Sequence, residues 1–360
     1  MRLLAPQAAG VEPFQHQAVR DLAWLIGSPP LMAAGVPGLA VPDRQWLARI
    51  AADAQPWLAD LDNQPEELQR VIYDGWMGAA HASRDQRSSV GSRGQLARFT
   101  GASPPSPRAP LARRAVGTPR IGHYAERLLE FWLSHHPGMR LIAARRAVRG
   151  EGRDLGDLDV VFSYRYGPPI HWELAVKFFL RARDDAAWDA WIGPNPRDRL
   201  DRKLERVIGH QLPLGGGSAA SAAAGLGRAP LTSEAFLKGW LFHPVDGPIE
   251  PSPAGASPDH GRGWWLHHGE HEPPQAARSS RYLVPERLEW LAPQHRPDDG
   301  SLPPLSHRQL LKRLERSFER HMAAVLVCEV QRDQHGWWRE IDRGFVVHPR
   351  WPEIIEAPER

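Results

Sequence analysis

Between Met139 and Leu180 apolar and polar residues alternate with a period of two, in three runs separated by turn-forming residues. MRLIAARRAVRG, LGDLDVVFSY and IHWELAVKFFL each read as a strand, with turns at 150–154 and at Tyr166-Gly167-Pro168-Pro169. On either side the period becomes helical. TPRIGHYAERLLEFWLSHH puts Ile121, Ala125, Leu128, Leu129, Trp132 and Leu133 on one face, and Pro137-Gly138 stops it. Thr118 is its predicted N-cap and Pro119 its first helical residue. After the crossover GPNPRD, DRLDRKLERVIGHQL predicts a second helix, and FLKGWLFHP a fourth strand. The predicted order is α-β-β-β-α-β, which makes the class α/β.

The flanks have other patterns. FQHQAVRDLAWLI carries Val19, Leu22, Ala23 and Ile26 at helical spacing until Gly-Ser-Pro-Pro at 27–30. DRQWLARIAADAQPWLADL and PEELQRVIYDGW predict two further helices, so 1–77 reads as a helical N-terminal region. Residues 78–118, rich in Arg, Ser and Pro, read as a flexible loop. The core spans 119–245, with a Gly/Ala-rich flexible insert at 214–230. Residues 246–360 form a Trp- and His-rich α+β extension expected to pack on the core. Within it SHRQLLKRLERSFERHM starts as a basic amphipathic helix, and AVLVCEV and REIDRGFVVHP predict paired strands around Gln334-His335-Gly336.

Composition narrows the classes. Hydrophobic residues make up 42% and charged residues 24%, as in a folded globular chain. The net charge of +3 is too small to define a nucleic-acid partner by itself. A single cysteine, Cys328, permits no internal disulfide and fits a reducing compartment. No run approaches the ~18 apolar residues of a membrane span, and MRLLAPQAAG lacks a signal-peptide core. The expectation is a soluble cytoplasmic protein with no membrane partner. Only four of the 45 basic residues are lysines, at 177, 203, 238 and 312. A lysine in so arginine-rich a chain hints at a need for a compact, deprotonatable charge.

Two of those lysines bear on the candidate chemistry. In IHWELAVKFFL one face carries Trp172, Leu174, Val176 and Phe178, and the other Glu173, Ala175, Lys177 and Phe179. In the preceding strand Leu158, Val160 and Phe162 share a face, opposite Asp157, Asp159, Val161 and Ser163. A hairpin centred near Tyr166 sets Asp159 beside Glu173, with β-carbons ~5 Å apart. Lys177 lies one pleat beyond, ~7 Å along the strand. Two adjacent buried carboxylates need a proton or a cation. Oxygen ligands favour Mg²⁺ or Mn²⁺, which would be held by Asp159 and Glu173 with Glu126 of the preceding helix assisting. Lys177 would orient water or stabilise charge on a phosphate. Arg202, Lys203 and Arg206 on the following helix would meet a nucleic-acid backbone. Asp157 reads either as a further ligand or as a solvated strand-end charge.

Other clusters weigh less. His267, His268, Glu270 and His271 lack a metalloprotease spacing and read as a polar loop. Cys328, in an apolar strand, reads as core, and core packing is the reading for Trp264, Trp265, Trp337, Trp338 and Trp351 ahead of base stacking.

At these residues the chain resembles the PD-(D/E)XK nuclease superfamily: GDLDVVF is similar to its acidic second strand and HWELAVKF to its third. It more closely resembles a bacterial family, domain-of-unknown-function family 1853, through VRDLAWLIGSPPL, RIGHYAERLLEFWL, WIGPNPRDRLDRKL and FVVHPRWP as well. The resemblance implies a restriction-endonuclease-like core with a mixed sheet. The superfamily spaces its acid and lysine as E-x-K, whereas Glu173 and Lys177 are separated by three residues, with Ala175 in the usual lysine position. The expected function is a metal-dependent nuclease acting on phosphodiester bonds, DNA ahead of RNA. The alternatives are a catalytically inactive nucleic-acid-binding module on the same fold and a protein-interaction scaffold.

Overall fold

Strand alternation sorts the side chains of this protein onto the two faces of a single sheet. The structure, a computed structural model, describes residues 14–72, 120–150, 152–300 and 303–353. The loop expected at 78–118 and the expected cap residues Thr118 and Pro119 lie outside them. Ten strands are described: β1 (Met139–Gly150), β2 (Arg153–Tyr164), β3 (Ile170–Arg181), β4 (Trp191–Ile192), β5 (Thr232–Pro244), β6 (Gly261–His267), β7 (Arg281–Leu283), β8 (His295–Arg296), β9 (Val325–Arg332) and β10 (Trp338–Val347). Their order is β1-β2-β3-β5-β6-β10-β9-β7, with β4 on β3 and β8 on β10. The β3–β5, β5–β6 and β6–β10 pairs are parallel and the others antiparallel, so the sheet is mixed.

The helices are α1 (Gln17–Gly27), α2 (Arg44–Asn63), α3 (Ile121–His135), α4 (Leu200–Arg206), α5 (Leu212–Gly215), α6 (Ser218–Ala223) and α7 (His307–Phe318), with 66–72 also helical. One face of the sheet carries Trp172, Leu174 and Phe178 of β3, Phe236 and Trp240 of β5, Trp265 of β6 and Phe345 of β10. All join one core with the apolar sides of α1, α2 and α3. The opposite face is divided. Ala175, Phe179, Leu237 and Leu241 pack with Leu200 and Leu204 of α4, and Trp264, Leu266 and Val346 with Leu310 and Leu314 of α7.

Three expectations change. The C-terminal strands are not a separate layer on the core; β6, β10, β9 and β7 extend the same sheet. The Gly/Ala-rich stretch is not a loose insert, for Ser218–Ala223 is helical and buries Ala220 against Ala143, Val148 and Val161. Alanine has the best helix propensity, and its small side chain permits a close approach to the sheet. Helix α3 is described from Ile121, where its apolar stripe begins, with Arg120 as N-cap. Finally, Leu158 packs with Val161 and not with Val160 and Phe162, so the alternation of β2 breaks between 158 and 160.

Buried polar groups join the helices to the far end of the sheet. Asp21 of α1 is fully buried; it accepts hydrogen bonds from the Tyr124 hydroxyl of α3 (2.7 Å) and from Ala292 N–H (3.0 Å). Burial raises its pKa to about 6. The Ala292 carbonyl in turn accepts from Arg343 (3.0 Å), whose guanidinium pairs with Glu340 and lies 4.1 Å from the centre of the Trp240 ring. Asp21→Ala takes the acceptor of both bonds out of the core, and is expected to destabilise the fold by about 3 kcal/mol. Tyr124→Phe removes one bond and is expected to cost about 1–2 kcal/mol. Urea unfolding followed by circular dichroism checks both; equal stability of Asp21→Ala and the parent would contradict the assignment.

Candidate active site

The hairpin register matches the one expected from the sequence. Phe162 pairs with Ile170, Val161 with His171 and Val160 with Trp172. The next pair would be Asp159 with Glu173, and there the ladder ends. In its place Asp159 Oδ2 accepts the Leu174 N–H at 2.8 Å, so a side chain completes what a strand backbone would have done. Beyond this point β2 follows β1 while β3 runs on beside β5. The two carboxylates therefore stand at the apex of a fork. Just before the apex Trp172 is clamped, stacked on Phe236 at 4.0 Å and donating its indole N–H to Glu234 at 2.9 Å.

The other neighbour of β2 is irregular at the same level. Ala144 pairs with Val160 and Arg146 with Leu158, and between them Arg145 has a φ of 44°. Such a backbone is costly for a residue with a β-carbon and is concentrated at functional sites. It turns the Arg145 guanidinium to Glu130 on α3.

Glu173 is buried, its side chain 3% exposed. Its Oε1 accepts from Lys203 Nζ (3.3 Å) and from the Gln211 amide, while its Oε2 is buried without a hydrogen-bond partner. Lys203 also donates to Gln211 Oε1 at 3.2 Å. These partners come from α4 and the π-helical turn that follows it, Val207–Gln211. A regular α-helix would place residue 211 about 80° around the axis from residue 203. The wider π-turn brings the two side chains onto one side, facing Glu173. Lys177 is drawn away: its ammonium pairs with Asp198 at 2.7 Å. The cation at the carboxylate pair is thus Lys203, expected from sequence only as a backbone-binding residue. Its partnership with Glu173 crosses 30 residues and depends on the helix docking over β3, which strand periodicity does not register.

Desolvation raises the Glu173 pKa to about 7, with Asp159 pushing it further up and Lys203 opposing. Asp159 is raised as well, first by burial, while the Leu174 N–H pulls it down. Glu126 on α3 is raised to about 7 by burial and then by the charge of Asp159. It stands beside the pair; among the described residues no three His, Cys, Asp or Glu side chains gather as one ligand set. Two carboxylates with one buried, unpartnered oxygen still fit Mg²⁺ or Mn²⁺, which accept one or two carboxylates and complete their shells with water and phosphate oxygens. Arg206 is exposed and lies close enough to Glu173 to lower its pKa; Arg202 is exposed beside Asp201. Asp157 is exposed near the pair and raises the pKa of Asp159.

The remaining clusters have structural partners. His267 bonds to Glu270 (3.0 Å) and to the Trp351 carbonyl (2.9 Å), and His271 pairs with Asp246. Cys328, Trp264, Trp265 and Trp351 are buried in the core, and Trp337 and Trp338 are half-buried. No helix among the described residues is long and apolar enough to cross a membrane.

Residues 20–347 match the family described as DUF1853, domain of unknown function, and the chain belongs to that family. Neither the curated proteins nor the solved structures include a match to the chain.

A carboxylate with a raised folded-state pKa holds its proton more tightly folded than unfolded. Its stabilising contribution is complete below the ordinary value of 4.5 and is lost as pH rises through about 7. The melting temperature of the parent is therefore expected to fall more between pH 5 and pH 8 than that of Glu173→Gln. Asp21 adds the same slope to both proteins, so the difference reports Glu173 together with the Asp159 beside it. Mg²⁺ is expected to raise the parent's melting temperature more at pH 8 than at pH 5. Parallel pH profiles for the two proteins would show that the pair does not titrate as described.

Proposed function

We propose that this member of DUF1853 is a metal-dependent nuclease that hydrolyses phosphodiester bonds, with DNA as its first substrate and Mg²⁺ or Mn²⁺ as its cofactor. The α-β-β-β-α-β order around the fork belongs to the same reading, that of a restriction-endonuclease-like core of the PD-(D/E)XK superfamily. One observation carries the proposal: Asp159 and Glu173 stand side by side where β2 leaves β3, with the Lys203 ammonium on Glu173. A structural ion pair does not call for a second carboxylate there.

Asp159 and Glu173 would hold the ion, which when bound would polarise the phosphate and lower the pKa of an attacking water. Hydrolysis forms one bond from the water oxygen to phosphorus and breaks the bond to the ester oxygen. Glu126, with a pKa near neutrality, is suited to take the proton that water gives up. The leaving oxygen takes its proton from solvent. Lys203 supplies positive charge where negative charge grows on the phosphoryl oxygens. Arg202 and Arg206, on the exposed side of α4, add salt-sensitive affinity for the backbone.

A second reading is a nucleic-acid-binding module that does not cut. It is favoured by the engagement of Lys177 with Asp198 rather than with the carboxylate pair.

Purified protein with Mg²⁺ or Mn²⁺ is expected to cleave single- or double-stranded DNA. Glu173→Ala is expected to lose at least about 100-fold in rate, and Lys203→Ala about the same. Lys177→Ala is expected to lose less than either. Salt-sensitive binding without cleavage by the parent would select the second reading. Cleavage that survives Glu173→Ala would exclude this site as its source. Loss on Lys177→Ala but not on Lys203→Ala would reverse the roles of the two lysines.

A further inference from the structure

The fork leaves part of β3 without a strand beside it. Pairing with β2 ends at Trp172, and pairing with β4 begins at Leu180. Leu174 turns its N–H toward the open side, where Asp159 accepts it. Because backbone groups alternate in direction along a strand, Val176 and Phe178 present their N–H and C=O groups to the same side. A cavity of about 220 Å³ lies along this edge. Leu174 and Lys203 both line it, and both touch the carboxylate pair, so it abuts the site.

The walls of the cavity are of two kinds. Phe178 and Trp290 form an aromatic wall, their rings edge to face at 5.7 Å. Lys177, Asp198, Asn195 and Arg287 supply polar groups and a positive balance around the rest. Asn195 accepts the Arg197 N–H through Oδ1 at 3.0 Å, which fixes the orientation of its amide. Ligand pockets usually measure roughly 300–1,000 Å³, so this cavity suits a single small ring system and cannot admit a duplex.

We infer that the cavity receives the base of one unpaired nucleotide of the substrate, next to the phosphate held at Asp159 and Glu173. The inference rests on the nuclease reading and narrows it to strands that are single or locally opened. Its chemistry is that of base recognition in general. An aromatic wall stacks on any base, an amide and a carboxylate meet the polar edge of an extruded base, and the surrounding cations hold the flanking phosphates. The free edge of β3 adds alternating donors and acceptors.

Gly122 offers a clean test. It lines the cavity in the first turn of α3, and a β-carbon added there would meet nothing within 4 Å. Gly122→Leu therefore narrows the cavity while improving helix propensity, and a melting temperature no lower than the parent's confirms its fold. Binding of dT12 is compared, without divalent metal, with that of a 12-mer deoxyribose-phosphate strand of equal charge that lacks bases. The parent is expected to bind dT12 about tenfold more tightly than the abasic strand. Gly122→Leu is expected to bring dT12 down to the abasic level without changing abasic binding, and Asn195→Ala to shift dT12 in the same direction. Equal affinity of the parent for both strands would overturn the inference and leave the nuclease reading standing. A preference for bases that Gly122→Leu and Asn195→Ala both retain would place the base elsewhere and also overturn it. Binding of neither strand would remove the nucleic-acid reading and this inference with it.

Discussion

Two carboxylates that cannot both carry charge in a dry environment govern the middle of this protein. Side by side at the end of a strand ladder, Asp159 and Glu173 would repel one another if nothing offset them. The chain answers in three ways. The Leu174 N–H caps Asp159. Lys203 and Gln211 converge on one oxygen of Glu173. Burial raises both carboxyl pKa values, so that a proton is retained toward neutral pH. Each response has a structural cost. The first ends the ladder between β2 and β3, the second requires a π-turn in a helix, and opposite the pair Arg145 takes a strained backbone. Three local irregularities thus surround a single point.

Much of this was legible in the sequence because strands write their faces into a period of two. The bounds of β1, the hairpin register through Tyr166 and the juxtaposition of Asp159 with Glu173 all follow from alternation and one turn. The identity of the cation did not follow. Lys177 lies on the right face by periodicity, but Asp198, from the crossover, captures it. Lys203 reaches Glu173 only because α4 docks over β3 and widens into a π-turn, and neither event has a local signature. Composition misled at 214–230, where small residues signal looseness by count and close packing by position. Leu158 misled because β2 loses its alternation between 158 and 160, opposite the left-handed backbone of Arg145.

The C-terminal strands show a related limit. Alternation identified β9 and β10 as strands but not β6 or β7, and it could not say which sheet they join. Parallel pairing of β6 with β5 and of β10 with β6 is made through backbone edges, which local alternation does not register. Once they join, one core runs from Leu22 and Trp132 to Phe345 without a division. The fork stays open because the rest of the sheet is complete: β3 is held along its other edge by β5 over eleven residue pairs.

The bond from Ala292 N–H to Asp21 spans 271 positions of the chain. On the ribosome the first helix emerges long before the residue that satisfies its buried acid exists, and Arg343, which steadies the Ala292 carbonyl, comes later still. Domains generally fold as units during synthesis. Here Asp21 has Gln17 within its own helix and gains Tyr124 next, but its bond from Ala292 waits for a further stretch of chain to be made. The last bond to Asp21 therefore cannot form until the segment around Ala292 has left the ribosome.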